Sequence, residues 1–244
     1  MKTFRANLHV HTALSPCADD AMTPPALAEA AVVAGLDLIA VCDHNTADNV
    51  AAVQAAAGAA VAVIAGMEVT TSEEVHVVGL FPDVAAAGAA GAAVGATLPE
   101  SAGDTTAYGD ALLMDAGGQV LGKAARVLSA ASGFSLEATV ALIHAHGGLA
   151  VAAHVDRPSF SVTSQLGLFP EGLRFDAIEI SAAGVRAGRD AAFAGLGFPM
   201  ITGSDAHFLC EVGAGQTTFE MDTLTLAEIA LTLRGAGGRR CYFA

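Results

Sequence analysis

His9 and His11 flank Val10 near the start of the chain, and Asp205 and His207 flank Ala206 near its end. On an extended strand, residues two apart point to the same side. Each pair would therefore aim two donor groups at one point. Two imidazoles, or a carboxylate with an imidazole, are donor sets that suit zinc, manganese or iron. Further candidates follow other apolar runs: Asp43-His44, Glu68 and His154. One histidine in a folded domain is usually a packed or solvated side chain. Five strand-like runs that each deliver a His, Asp or Glu describe a site, because α/β folds gather their chemistry at the carboxyl ends of strands. His76 opens its run instead of closing it, and the pattern alone leaves it out. His144 and His146 stand near the end of a helical stretch, where imidazolium suits the helix dipole. Two apart on a helix they share no face, and they are read as structural.

The elements that must position these residues alternate between two kinds. Residues 4–10, 38–42, 61–65 and 75–81 read as strands. Residues 23–34 and 47–57 read as helices. Thr23 is placed as an N-cap, Pro24 and Pro25 are tolerated in the first turn, and Gly35 closes the helix. This rhythm predicts a parallel sheet with helices packed outside it. Residues 84–133 interrupt the rhythm and are read as an insertion, Ala/Gly-rich at first and then polar and turn-rich, with a small hairpin at 111–121. A helix at 135–146, strands at 149–153, 177–180 and 199–201, a helix at 223–233 and a strand at 240–243 complete one domain spanning 1–244.

Composition narrows the function. Of the 244 residues 53% are hydrophobic and 15% charged, which is globular. Much of the apolar share is alanine, so no stretch is apolar enough to span a membrane. The start, MKTFRANLHV, lacks the apolar segment of a secretory signal, and a cytoplasmic location is expected. Cys17, Cys42, Cys210 and Cys241 lie far apart with no CxxC pair, and they read as idle thiols, not a disulfide framework or zinc ribbon. The net charge is −14, with only 11 Lys and Arg spread along the chain. No basic footprint is visible, so no polymeric nucleic acid is expected as a partner. An anionic ligand would need cations other than lysine, and bound metals would supply them.

The segments LHVHT, AVCDHNT, AGMEVTT, HVVGLF, AAHVDRPSF and GSDAH occur in that order. The chain resembles the PHP (polymerase and histidinol phosphatase) superfamily, in its stand-alone metal-dependent phosphoesterase form. The resemblance implies an α/β fold, a distorted (β/α)7 barrel with an insertion after the fourth strand. It also implies two to three divalent metal ions (Zn, Mn or Fe) at the barrel mouth. By motif, the first metal takes His9, His11, Glu68 and Asp205. The second takes Glu68 as a bridge with His76 and His154, which restores His76. The third takes His44, His207 and an acidic residue of SPCADDAMTP. Counting back from Thr23-Pro24 places that residue at Asp19, with Asp20 where family members often carry glycine.

Three divalent cations against the carboxylates of Asp19, Glu68 and Asp205 leave a shell of about +3, a receptor for a phosphate dianion. The expected reaction is hydrolysis of a small phosphorylated metabolite or nucleotide through a metal-bridging hydroxide, without a serine or cysteine nucleophile. Arg157 is the expected phosphate holder, since a planar guanidinium matches two phosphate oxygens. Asp43 is a candidate to orient His44 from behind. Glu179, a charge inside the apolar run AIEIS, receives no role. Competing expectations are an exonuclease or oligonucleotide phosphodiesterase, a histidinol-phosphate phosphatase, and a non-catalytic metal-dependent sensor. Aromatics at 5% with no Trp disfavour base stacking, and competent residues at all nine ligand positions disfavour a sensor.

Overall fold

A computed structural model describes residues 1–101 and 109–243. Its main sheet is built from β1 (Lys2–Val10), β2 (Leu38–Val41), β3 (Ala62–Thr70), β4 (His76–Phe81), β7 (Leu149–Ala152), β8 (Ala177–Ser181), β9 (Met200–Gly203), β10 (Thr217–Met221) and β11 (Arg240–Tyr242). A separate hairpin holds β5 (Leu112–Met114) and β6 (Val120–Lys123). The main sheet runs β11-β10-β1-β2-β3-β4-β7-β8-β9. It closes on itself at one end, where Asp205 N donates to His9 O at 2.9 Å and His11 N to Ala206 O at 3.0 Å. The result is a nearly closed α/β barrel of the distorted (β/α)7 kind.

The sheet is not wholly parallel. β4 runs antiparallel to both β3 and β7, and β10 is antiparallel to β1. The reason is connection length. Only residues 71–75 join β3 to β4, too few for the crossover a parallel pair needs. The reversal brings the start of β4 level with the end of β3, and Thr70 pairs with His76.

Helices cover the outer face. α1 (Pro24–Val33) starts where the sequence places it, with the Thr23 hydroxyl accepting from Ala26 N, and it ends before Gly35 at φ +68°. α2 (Val50–Ala57) starts later than expected, because Asn49 is used elsewhere. Its amide donates to Thr12 Oγ1 and Leu112 O, each at 3.0 Å, and ties the site loop to the hairpin. The Ala/Gly-rich segment expected within an insertion forms α3 (Val84–Gly95), capped by Asp83 and packed on β3 and β4. Alanine is the best helix former, and low complexity did not prevent a helix. Residues 102–108 of the expected insertion lie outside the described residues. The expected hairpin is present, with its second strand ending later, at Lys123. α4 (Leu136–Ala145) matches its expected stretch, the short α5 (Val162–Leu166) and α6 (Ala182–Arg186) follow, and α7 (Leu226–Leu233) matches its own.

The apolar side chains form two main layers. Leu27, Ile39, Val41, Val53, Met67, Ile143 and Ile178 pack between strands and outer helices. Leu8, Leu38, Ile64, Val78, Leu80, Val151 and Ile201 form a second cluster, with Leu226, Ile229 and Leu233 of α7. On β3, Ile64, Gly66 and Glu68 alternate along one face, so that face passes from apolar core to charged mouth within five residues.

Candidate metal centre at the barrel mouth

Glu68 is the hub. It is fully buried near the end of β3. Five imidazoles meet its two oxygens: His76 Nδ1 at 2.9 Å, His154 Nε2 and His44 Nδ1 at 3.1 Å, and the Nε2 atoms of His9 and His11 at 3.4 Å. Asp205 Oδ1 lies 2.8 Å from His11 Nε2 and 3.4 Å from His9 Nε2. A buried carboxylate needs compensating partners. Burial pushes the Glu68 carboxyl up, but His76, His9 and His44 outweigh it and hold it well below the usual range.

The donors form three overlapping groups: His9, His11, Glu68 and Asp205; His44, Glu68 and His76; and His11, His44 and His207. Within each group the donor atoms lie within 4.8 Å of one another. Glu68 Oε2, His44 Nδ1 and His154 Nδ1 are buried without a hydrogen-bond partner. Two such acceptor-capable atoms, Glu68 Oε2 and His44 Nδ1, face each other at 3.1 Å. Buried polar groups are nearly always partnered. A cation among these atoms would satisfy them, so the donor set fits divalent metal ions.

Outer contacts fix which nitrogen faces inward. Ser15 Oγ donates its one proton to Asp43 Oδ1 at 2.8 Å and accepts from His44 N at 3.1 Å. Its contact with His11 Nδ1 at 2.8 Å must then be N–H donation by the ring, which frees His11 Nε2 as a ligand. His207 Nδ1 donates to Asp205 O at 2.8 Å and likewise frees Nε2. Glu179 Oε2 lies 2.8 Å from His9 Nδ1 and does the same for His9. Burial pulls the His9 imidazole down, yet Glu179, Glu68 and Asp205 prevail and raise it well above its ordinary value. The His11 imidazole is lowered by burial and by His207.

Backbone strain contributes as well. His154 at φ +29° and Asp205 at φ +51° occupy the left-handed region, which costs each about 1–3 kcal/mol. Gly203 is needed where the chain passes His9 and Glu179. A Cβ there would meet His9 Cβ at 2.8 Å and Glu179 Oε1 at 2.9 Å.

Eight of the nine expected ligands are thus drawn together. Asp19 is not: its carboxylate lies on the exposed rim and accepts from Ala21 N at 2.8 Å. His76 joins because β4 is reversed, which puts the start of that strand at the mouth. Asp43 is buried behind the site, but it accepts from Thr12 N and Oγ1 and from Ser15, and so acts on His11 through Ser15. Arg157 Nη1 pairs with Asp205 Oδ2, while Asp156 bonds Ser181 instead. His144 pairs with Asp176 and His146 with Leu142 O, at the end of α4 and outside all three donor groups. Glu179 and Ser15 were missed. Glu179 was signalled by its charge inside an apolar strand; Ser15 gave no signal. Cys17 departs from the idle-thiol expectation. Burial pushes its thiol up, but hydrogen bonds with His207 and His44 bring it to about 6.

Replacing Glu179 by glutamine keeps the shape and removes the acceptor that fixes His9. Metal affinity is expected to fall about 10- to 100-fold, measured by competition with a chromophoric chelator. An unchanged affinity would show that His9 needs no such support.

Residues 7–166 match the PHP domain family and residues 191–236 the PHP-associated family. The chain belongs to the PHP family. A comparison with curated protein sequences gave no match. Among solved structures, the lesion-specific endonuclease PfuEndoQ from Pyrococcus furiosus superposes with a TM-score of 0.71 at 19% identity, covering 98% of this chain and 58% of that one. Endonuclease Q in complex with a 27-mer duplex carrying an abasic lesion superposes at 0.66 and 18%, with the same coverages. A protein from Bifidobacterium adolescentis provisionally described as a metal-dependent phosphoesterase gives 0.55 at 20%, covering 83% of this chain and 87% of that one. The chain therefore spans little more than half the length of the endonucleases it overlays.

The endonuclease complex corrects one expectation. Polymeric nucleic acid was set aside because the chain is acidic and has no basic footprint. A duplex occupies the active site of a protein with this fold. Net charge describes the whole surface, whereas a phosphodiester needs cations only where it is cleaved, and metal ions supply them locally. The acidic composition is no ground for excluding nucleic acid. No helix among the described residues is long and apolar enough to cross a membrane.

Proposed function

We propose that the mouth binds two to three divalent ions, drawn from zinc, manganese and iron, and hydrolyses the phosphate ester of a small phosphorylated metabolite or nucleotide. The observation that carries this reading is the set of three donor groups overlapping around Glu68. Bound ions would lower the pKa of water and stabilise charge on the transferring phosphoryl group. The protein's own part is positional. Glu68 is shared between two donor groups, and His9, His11 and Asp205 complete the first. His44 and His76 complete the second, with His154 against Glu68 beside them, and Glu179 and Ser15 hold the His9 and His11 imidazoles in the ligating tautomer.

Arg157 stands half-exposed in a cleft of about 570 Å³ beside Asp205 and His207, with Arg186 and Arg189 on its wall. Its pairing with Asp205 leaves the rest of the guanidinium fork for a phosphate oxygen. Charge-assisted hydrogen bonds contribute about 1.5–3 kcal/mol. Arg157→Ala is therefore expected to lower kcat/KM about 10- to 100-fold, mainly through KM. Steady-state kinetics on a phosphomonoester checks this, and an unchanged KM would remove Arg157 from substrate binding.

A second reading, cleavage of a phosphodiester in damaged DNA, is favoured by the overlay that takes in nearly the whole chain on endonuclease Q. One screen separates the two. Phosphorylated metabolites (histidinol phosphate among them), mononucleotides and an abasic duplex are tested with zinc, manganese and iron supplied separately. Turnover of the small esters with an intact duplex supports the first reading. Duplex cleavage with inert small esters replaces it with the second.

A further inference from the structure

Phe160 combines a strained backbone with an exposed ring. Its φ is +55°, in the left-handed region that a bulky residue rarely enters. It is 40% exposed, so core packing does not account for the strain. Strain of this kind persists only where the surroundings over-determine it. Here they do. Ser161 Oγ donates to Arg157 O at 2.8 Å and Thr163 Oγ1 to Val155 O at 2.6 Å, while Ser161 caps α5. What the fixed turn delivers is a double contact with His76. Phe160 O accepts from His76 N at 2.8 Å. The Phe160 ring stacks on the His76 imidazole, with centroids 4.6 Å apart and planes 21° from parallel. His9, His11 and His207 each have a ring nitrogen held by an oxygen outside the donor atoms. His76 instead turns Nδ1 to Glu68 Oε1 at 2.9 Å, and the stack takes the place of an outer hydrogen bond.

We propose that Phe160 is a positioning residue for metal loading, clamping the His76 imidazole onto the donor group of His44, Glu68 and His76. The inference rests on the metal-centre reading above. A stacked ring fixes the plane of an imidazole and attracts it beyond the area it buries. Ligation draws electron density out of the imidazole, and an aromatic face holds an electron-poor ring more tightly. The stack is therefore stronger in the loaded protein than in the metal-free one, and that difference adds to metal affinity. It acts on one donor group. In the other group around Glu68, the His9 and His11 rings meet each other and the rings of His154, His44 and His207.

Zinc titration of metal-stripped protein against a chromophoric chelator, resolved into successive ions, tests the assignment. Phe160→Leu keeps an apolar side chain and removes the stack. It should bind one ion about 10-fold weaker, leave the other steps unmoved, and keep the circular dichroism and Tm of the metal-free protein. Phe160→Tyr keeps the ring and should restore that ion. Phe160→Gly removes the ring and the backbone strain together, so it tolerates the turn even if leucine does not, and it should lose the same ion. Affinities equal to wild type in Phe160→Gly or Phe160→Leu overturn the assignment. So does a tyrosine that fails to restore the ion, or a loss spread over every step together with a fall in the metal-free Tm. Each of these leaves the metal-centre reading standing. A wild-type protein that takes up no zinc overturns both.

Discussion

Replacing Glu68 by glutamine is expected to lower phosphoesterase turnover by about 10³-fold or more while the barrel stays folded. The carboxylate is fully buried and met by five imidazoles. Among the described residues it is the only side chain that belongs to two of the donor groups through a carboxylate. Glutamine keeps the volume and one acceptor oxygen, but it cannot neutralise two cations. Metal ions contribute several kcal/mol to charge stabilisation in the transition state, and each 1.36 kcal/mol is a factor of ten. Loss of about 4 kcal/mol therefore gives about 10³. Glutamine leaves the imidazoles that Glu68 helps to hold protonated without their counter-charge, so the metal-free variant should be less stable than metal-free wild type. Kinetics with metal analysis checks this. Turnover within tenfold of wild type would remove Glu68 from the centre of the account.

Removing the metal should produce the second large effect, on stability. A ligand present at about 100 times its Kd stabilises the folded state by about 2.7 kcal/mol. In a domain of this size each kcal/mol moves Tm by about 2–4 °C. Chelation is therefore expected to lower Tm by about 5–10 °C, and zinc, manganese or iron should restore it. The gap has a pH dependence of known sign. In the metal-free site His9 holds its proton above the ordinary imidazole range, and His44 is raised to about 10 because Glu68 and Cys17 outweigh burial. Both must lose a proton to bind metal, so protons compete with loading. The difference in Tm between loaded and stripped protein should shrink as pH falls from 8 towards 5. Calorimetry on both forms tests this, and a gap that widens in acid would contradict it.

Much of the site was legible because its chemistry is written in short-range spacing. His9-x-His11 and Asp205-x-His207 declare a shared face by strand periodicity alone, and the structure brings each pair together. His76 was not legible in the same way, because strand direction is set by connection length and sheet order, which local pattern does not report. Asp19 illustrates the limit of motif alignment. The motif places it among the ligands, but its carboxylate caps its own turn and accepts from Ala21 N. Residues 84–95 show the same limit for the fold. Small residues leave almost no amphipathic signal, yet Ala87, Ala90 and Val94 bury a face against the sheet. Ser15 was invisible because its role comes from three partners at distant sequence positions. The nucleic-acid exclusion failed for a different reason, since total charge was asked to report on a local field.

Under the proposed function, the donor groups around Glu68 hold the metal ions on which phosphate-ester hydrolysis depends. This is tested most directly by stripping the purified protein with a chelator and adding back zinc, manganese or iron stepwise. Bound metal and hydrolysis of a generic phosphomonoester and phosphodiester are measured at each step. The stripped protein should show no turnover, and activity should rise with the ions bound, reaching its plateau at two to three per chain. Turnover that survives complete stripping, or a chain that takes up no metal, would contradict it.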